Sequence, residues 1–192
     1  MKRIGILTFS NTVNYGASLQ ACALHRTVMS LGCDCEVLNY SNKELDDREL
    51  GTRFSFNPSD AVRYFLRRGF ERQRLNSFSR FAKRNLSPMG KLDKQALIDR
   101  AKSLDCVLIG SDQVFNPRVN GHDPVYLGEG IAEVTKVASY AASLGDATAE
   151  SISACDKGAA DRLEKFTGLS VREPSSMEVL SEMGLESVFM PD

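Results

Sequence analysis

Hydrogen-bonding side chains crowd a short loop near the start of the chain. The stretch TFSNTVNYG, residues 8–16, follows an apolar run and precedes apolar side chains at helical spacing, which predicts the order strand, polar loop, helix. Backbone N–H groups at the start of a helix are unpaired and carry partial positive charge, so this loop could hold a phosphate, a carboxylate or a sugar hydroxyl. The alternative is an ordinary connection whose asparagines bond only their own backbone.

A second polar turn follows an apolar segment in the middle of the chain. The stretch DCVLIGSDQVFNP, residues 105–117, is a continuous apolar run that ends abruptly in Gly-Ser-Asp-Gln. Such runs are typical of strands buried on both faces of a parallel sheet, and ligands of these sheets gather where the strands end. Asp112 and Gln113 are therefore candidates for contact with a ligand, although Asp112 could equally cap its own turn.

An arginine lies directly after a third predicted strand, beside the predicted start of a helix. In LSVREPSSMEVLSEMG, residues 169–184, Arg172 follows a short strand, and Ser175 and Glu178 have the spacing of a capping box. A guanidinium group and helix N–H groups can converge there on one anion. A structural ion pair between Arg172 and an acidic side chain is the competing interpretation.

These stretches imply an α/β fold. Six short strand-type segments are separated by helical ones, which predicts a Rossmann-like, doubly wound and mostly parallel sheet. A chain of 192 residues is long enough for one such domain with a full core, so we expect a single domain over residues 1–192. Within it, Gly32 is expected to end the first helix, Asp93 to begin a later one and Gly158 to divide another.

Composition limits the partners, metals and location that we expect. The 24 basic and 25 acidic residues nearly cancel, which argues against nucleic acid as a partner. Five cysteines, an odd number, are interpreted as reduced thiols, and two histidines supply too few ligands for a metal site. The sequence shows no signal peptide and no apolar run near the roughly 20 residues that span a bilayer, so we expect a soluble, cytoplasmic protein.

One segment departs from this charge balance. Residues 61–84 carry eight basic side chains against one acidic side chain, with phenylalanines among them at helical spacing. The plain interpretation is a helix that packs by its aromatic side chains and holds its arginines in water. The alternative is a cationic surface for a diphosphate or for an anionic membrane leaflet.

Four separated motifs carry a resemblance to a known family. They are GILTFSNTVNYGASLQACAL at 5–24, VLIGSDQVFN at 107–116, SYAASLG at 139–145 and SVREPSS at 170–176. In this order and at these intervals they resemble the polysaccharide pyruvyl transferase family. The resemblance covers nearly the whole chain, and the combination is far more specific than any one motif.

The resemblance implies an enzyme. Family members look like two Rossmann-type domains facing each other across a cleft, similar to glycosyltransferases of the GT-B type. They transfer the pyruvyl group of phosphoenolpyruvate to sugar hydroxyls of a cell-surface glycan or its lipid-linked precursor, forming a ketal and releasing phosphate. By this resemblance we expect phosphoenolpyruvate as co-substrate with no other cofactor, and an acceptor at the inner face of the membrane. We also expect a C-terminal domain, or a second copy of the chain, to complete the cleft.

The resemblance also implies roles for single residues. Arg172 matches an arginine of the family's motif and is expected to contact the anionic groups of the donor, with the Ser175 hydroxyl beside it. From their place at the carboxyl end of a strand, Asp112 and Gln113 are expected to bind acceptor hydroxyls, with Asp112 also a candidate base. His122, in the polar loop RVNGHDP, is expected to serve as an acid or in the donor site.

The loop of the first motif is expected to bind the sugar or the phosphate. Its candidate residues are Asn11, Asn14, Tyr15 and Gly16, and the last of these lets the backbone approach a ligand closely. Gln20, one helical turn further on, is expected to be structural.

Other classes of protein remain alternatives. A flavodoxin-like carrier could wrap a flavin phosphate in a Ser/Thr/Asn loop, but TFSNTVNYG has no glycine before Gly16. A dinucleotide-binding domain is disfavoured because G-x-G-x-x-G is absent from the sequence. The non-enzymatic alternative is a sugar- or nucleotide-binding half that assists a partner chain.

Overall fold

The computed structural model describes residues 1–10, 14–40, 42, 73–74, 76–86 and 90–191. The strands are β1 (Arg3–Leu7), β2 (Asp34–Val37), β3 (Cys106–Asp112), β4 (Lys136–Ala142), β5 (Ser170–Val171) and β6 (Val188–Phe189). The helices are α1 (Tyr15–Ser30), α2 (73–74 and 76–85), α3 (Lys94–Ala101), α4 (Pro117–Asn120), a 3-10 helix (Pro124–Leu127), α5 (Ala149–Cys155), α6 (Ala159–Glu164) and α7 (Pro174–Glu182).

The strands form one sheet in the order β2-β1-β3-β4-β5-β6. The prediction of an α/β fold is confirmed, and every pairing between the described strands is parallel, where the sequence predicted a mostly parallel sheet. The chain passes from β1 outward to β2 and then crosses to β3 on the other side of β1, so the order reverses between β1 and β3. In parallel α/β sheets such a reversal opens a crevice at the carboxyl ends of the two strands.

Helices cover both faces of the sheet because the strands are apolar on both. Ile6 of β1 lies in a cluster with residues of α1 and α2, whereas the next residue, Leu7, lies in a larger cluster with α3 and later elements. Val37 and Leu38 divide between the same two clusters. Parallel sheets are covered by their own crossover helices, which explains the continuous apolar run in β3.

The local signals for helix ends are confirmed. Leu31 is the C-cap of α1, and Gly32 follows it with a φ of 79°. Asp93 caps α3, where its Oδ1 accepts from the backbone N–H of Ala96 at 2.8 Å. Gly158 is the N-cap of α6 and divides it from α5.

Two serine side chains complete the contact between β4 and β5. Ala142 pairs with Val171, but the residue before it, Ala141, adopts a left-handed φ of 46° that bends β4 locally. The buried Ser170 hydroxyl accepts from the N–H of Ala141 at 3.1 Å and donates to the carbonyl of Ser139 at 2.7 Å. The Ser139 hydroxyl in turn donates to the carbonyl of Ser170 at 2.8 Å. These bonds fix β5, and with it the residue that follows it.

Replacing Ser170 by alanine should destabilise the protein. The change removes the acceptor of the Ala141 N–H in a buried place, where an orphaned polar group costs about 1–3 kcal/mol. We expect Ser170→Ala to lower the free energy of unfolding by about 2 kcal/mol in urea titrations. Ser153→Ala, at an exposed position of α5, is the matched control and should change it little. Equal stability of the two variants would contradict this role.

Candidate functional site

The carboxyl ends of three strands bring candidate residues to one edge of the sheet. The register pairs Asp112, the last residue of β3, with Ala142 of β4, and pairs Ala142 with Val171 of β5. Arg172 follows directly, and its backbone N–H donates to the carbonyl of Ala142 at 3.0 Å. Asp112 and Arg172 therefore lie at the same edge, with the end of β4 between them.

Hydrogen bonds cross the crevice between β1 and β3. Thr8 is fully buried after β1, and its Oγ1 donates to the carbonyl of Ser111 at 3.4 Å. The Ser111 hydroxyl donates to Gln20 Oε1 at 3.2 Å, which ties α1 to β3. The Nε2 of Gln20 is buried and has no hydrogen-bond partner within the part of the chain that the structure describes. The sequence around Gln20 could not show this contact with Ser111, because the contact depends on the pairing of β1 with β3.

Asp112 shapes the turn that follows β3. Its Oδ1 accepts from the backbone N–H of Gln113 at 2.8 Å, and its carbonyl accepts from the N–H of Ser143 at 2.8 Å. The side chain is half-buried, so the carboxylate is partly open to solvent. Asp112 therefore caps its own turn, which was the alternative that the sequence left open. Its second carboxylate oxygen, Oδ2, takes no part in that hydrogen bond.

Gln113 belongs to a polar network between the ends of β3 and β4. Its Oε1 accepts from Asn116 Nδ2 at 3.3 Å, and the same amide donates to Asp146 Oδ1 at 3.1 Å. Arg118 Nη1 donates to the other oxygen of Asp146 at 3.1 Å. Gly145 has a φ of 59°, and a Cβ there would lie 2.7 Å from Gln113 Oε1. The network therefore depends on a glycine at position 145.

Arg172 lies in an ion pair with the next residue. Its Nε donates to Glu173 Oε1 at 2.7 Å, and the two side chains remain about one-quarter and one-third exposed, at 25% and 34%. The structural ion pair that competed with anion binding is thus present. A pair at this level of exposure contributes little to stability, about 0–1 kcal/mol, but it orients the guanidinium group at the sheet edge.

The predicted capping box at the start of α7 is wrong. Glu173 is the N-cap, and its side chain makes no capping hydrogen bond, while Ser175 is exposed. The buried serine is the next one, Ser176, whose hydroxyl donates to Glu173 Oε2 at 3.1 Å and accepts from the N–H of Leu144 at 3.2 Å. The contact with the backbone of Leu144, just after β4, determines which serine is buried. The spacing of Ser175 and Glu178 alone could not show this contact.

His122 lies in the loop between α4 and the 3-10 helix. It follows α4 with a left-handed φ of 52°, its side chain is exposed, and the small cavity beside it is lined by α4, the 3-10 helix and α5, without Asp112 or Arg172. The neighbouring Asp123 accepts from the Tyr40 hydroxyl at 2.5 Å, and burial together with this carboxylate raises the pKa of Tyr40. The loop is therefore anchored to the segment after β2.

The loop of residues 8–16 ends in a side chain that caps α1. Asn14 Oδ1 accepts from the N–H groups of Gly16 and Ala17 at 2.8 and 3.4 Å, so the backbone role that the sequence left open for this asparagine is observed. A Cβ at Gly16 would lie 3.3 Å from Asn14 Oδ1, which leaves little room for a side chain. Asn11 lies outside the described residues.

Tyr15 faces a groove between α1 and α2. Its ring centroid lies 4.9 Å from that of Phe78, at a tilt of 53°. The groove encloses a cavity of about 410 Å³, which we call the α1–α2 groove. Its lining residues are Tyr15, Ser18, Leu19, Gln73, Arg74, Ser77, Phe78 and Phe81.

Removing the cap of α1 should cost stability. Loss of an N-cap side chain costs about 0.5–2 kcal/mol, so we expect Asn14→Ala to lower the free energy of unfolding by about 1 kcal/mol. Asn14→Ser retains a capping oxygen and should lower it by a few tenths at most. Urea titration of both variants checks this, and an Asn14→Ala variant as stable as the wild type would show that the cap is dispensable.

The described ranges contain neither a cluster of metal ligands nor a helix that could span a membrane. No three histidine, cysteine, aspartate or glutamate side chains come together there as a group able to hold a metal ion. Among the helices of the same ranges, none has the length and apolar character needed to cross a bilayer. All five cysteines are described, and all are free thiols.

Comparison with known proteins gives one match. The family model of polysaccharide pyruvyl transferases matches residues 14–192. No curated protein and no solved structure matches the chain. The matched range begins at the cap of α1 and contains Asp112, Gln113 and Arg172 at the carboxyl edge. Because the match spans nearly the whole sequence, the chain belongs to the polysaccharide pyruvyl transferase family, a family of transferases.

Proposed function

We propose that the chain acts in the transfer of a pyruvyl group from phosphoenolpyruvate to hydroxyls of a sugar in a cell-surface glycan or its lipid-linked precursor. The family match over residues 14–192 is the observation that carries the proposal. The chain would supply one Rossmann-like half of a cleft of the GT-B type. A further domain or a second copy would supply the other half, at the inner face of the membrane.

The reaction sets three demands on the protein. An acid must protonate the methylene carbon of phosphoenolpyruvate, which makes the neighbouring carbon electrophilic. Two sugar hydroxyls then form C–O bonds to that carbon and lose their protons to a base, while the C–O bond to phosphate breaks and phosphate leaves. Cations must hold the carboxylate and phosphate of the donor throughout. Phosphoenolpyruvate is the only co-substrate that this scheme requires.

Arg172 is our candidate for the donor anion. It lies directly after β5 at the carboxyl edge, next to the first turn of the nine-residue helix α7. A planar guanidinium group can bind a carboxylate or a phosphate through two parallel hydrogen bonds. The bond to Glu173 fixes the plane of the group, and the negative charge of Glu173 opposes an incoming anion. Ser175, exposed on the first turn of α7, would add a hydroxyl donor.

Asp112 and Gln113 are our candidates on the acceptor side. The Asp112 carboxylate uses Oδ1 for the turn, and its half-buried position at the end of β3 suits a base that receives a hydroxyl proton. Gln113 follows Asp112 directly, and its Oε1 is held by a bond from Asn116 Nδ2. Gln20 offers a buried N–H donor in the adjacent crevice, and we add it to the candidates.

The first-motif loop would complete the acceptor site. Asn11 and Asn14 supply amides, Tyr15 an aromatic face for a sugar ring, and Gly16 a close backbone approach. His122 is proposed as the acid on its chemistry alone, because an imidazolium group can donate a proton to a reacting carbon. The cavity that His122 lines does not include Asp112 or Arg172.

A flavodoxin-like carrier shares one feature with the structure. The order β2-β1-β3-β4-β5 with a reversal between β1 and β3 is also found in sheets that bind flavin mononucleotide. Strand order alone does not determine function, and the family match favours pyruvyl transfer. A purified protein with flavin absorbance would favour the carrier instead.

Donor binding should depend on Arg172. We expect saturable binding of phosphoenolpyruvate to the wild-type chain in ligand-observed NMR, and at least about tenfold weaker binding by Arg172→Ala because a charge-assisted bidentate contact is lost. Arg172→Lys keeps the charge without the planar fork and should bind with intermediate affinity.

The matched control is Arg3→Ala. Arg3 begins β1 at the opposite edge of the sheet, so its removal changes the net charge equally and should leave the affinity unchanged. Absence of saturable binding by the wild type, or equal affinities of Arg172→Ala and Arg3→Ala, would contradict a donor site at Arg172.

A further inference from the structure

Large apolar side chains are exposed along α1, beside the α1–α2 groove. Tyr15 is 72% exposed and Leu19 is 61% exposed, and neither belongs to the apolar cluster that α1 forms with the sheet. Both line the groove, whose remaining apolar lining is Phe78 and Phe81 of α2. The two helices therefore present an aromatic and aliphatic surface to the outside of the protein.

The two helices that form this apolar surface are also positively charged. The described residues of α1 and α2 carry five arginine and lysine side chains and no carboxylate. These cations are Arg26, Arg74, Arg80, Lys83 and Arg84. The whole chain has a formal net charge of −1, so the positive charge is concentrated here rather than distributed evenly.

The geometry places charges and apolar groups on the same face. On α2, Arg80 and Arg84 follow the groove residue Ser77 by three and seven positions, which is helical spacing for one side of the helix. On α1, Arg26 lies seven positions after Leu19 and donates to Asn85 Oδ1 of α2 at 3.1 Å. Contacts at both ends, Tyr15 with Phe78 and Arg26 with Asn85, hold α1 and α2 side by side.

We propose that this α1–α2 face docks on a bilayer that contains anionic phospholipid. Its arginines and lysine contact headgroup phosphates, Leu19 enters the interfacial layer, and the groove accepts part of an acyl chain. Surfaces that combine cations with exposed aromatic and aliphatic groups bind membranes in two ways. The cations attract anionic headgroups, and the apolar groups are buried in the interfacial layer. The proposal goes beyond the proposed function and does not depend on it.

Charge complementarity and apolar exposure together favour a bilayer over other polyanions. A nucleic acid would satisfy the cations but would leave the aliphatic side chain of Leu19 in water. A bilayer satisfies both groups at once, because its phosphates lie directly above its hydrocarbon. Residues 61–72 and 75 of the basic segment lie outside the described residues, and the surface consists of α1 together with residues 73–74 and 76–86.

The first test is cosedimentation of the full chain with large vesicles. We expect binding to an equimolar mixture of phosphatidylcholine and phosphatidylglycerol, and little binding to phosphatidylcholine alone. The double variant Arg80→Glu with Arg84→Glu should lower the partition coefficient at least about tenfold. The control, Lys136→Glu with Lys157→Glu, changes the net charge equally at exposed positions outside α1 and α2 and should bind like the wild type.

The apolar part has its own readout. The chain has no tryptophan, so Leu19→Trp introduces a single reporter whose emission should shift to the blue on the anionic vesicles. Leu19→Asn should weaken binding, whereas Leu31→Asn, at another exposed leucine beside the same helix, should not.

Three results would overturn the proposal. They are equal binding to both vesicle types, equal binding by the two charge variants, and binding to duplex DNA as tight as to the anionic vesicles with no blue shift from Leu19→Trp. None of them bears on phosphoenolpyruvate binding by Arg172, which is measured without vesicles.

Discussion

The structure depends on the parallel pairing of β3 with both β1 and β4. A parallel strand cannot be reached by a tight turn, so each connection must return over a face of the sheet, and each strand ends at the same edge. The chain therefore crosses from β2 over β1 to β3, which opens the crevice between β1 and β3 and fixes Thr8, Ser111 and Gln20 around it. The serine contact between β4 and β5 extends the edge to Arg172.

Local chemistry predicted much of this arrangement. Asp93, Gly32 and Gly158 mark helix ends through their own conformational preferences, and the apolar run in β3 follows from burial on both faces. The predicted capping box failed for a reason outside its segment. The N–H of Leu144 needs a buried acceptor, and Ser176 supplies it, while Ser175 points to solvent. Gln20 was expected to be structural, and its bond to Ser111 agrees with that expectation, but the helix sequence alone could not name a partner that lies on β3.

The two proposals meet on α1. This helix begins at the carboxyl end of β1, where Asn14 caps it, and its outer face contributes Tyr15 and Leu19 to the α1–α2 groove. A surface that lies on a bilayer beside the start of α1 would hold the carboxyl edge close to the headgroups. A lipid-linked sugar could then reach the crevice without leaving the membrane, while phosphoenolpyruvate, under the proposed function, would approach Arg172 from solution.

The most direct measurement of the central claim is a backbone amide chemical-shift map of the ¹⁵N-labelled chain with and without phosphoenolpyruvate. If the carboxyl edge binds the donor, the amides of Thr8, Asp112 and Arg172 should shift in a saturable way. The amides of Arg3, Cys106 and Lys136, which begin β1, β3 and β4 at the opposite edge, should remain unchanged. Shifts confined to that opposite edge, or none at the carboxyl edge at saturating ligand, would contradict the account.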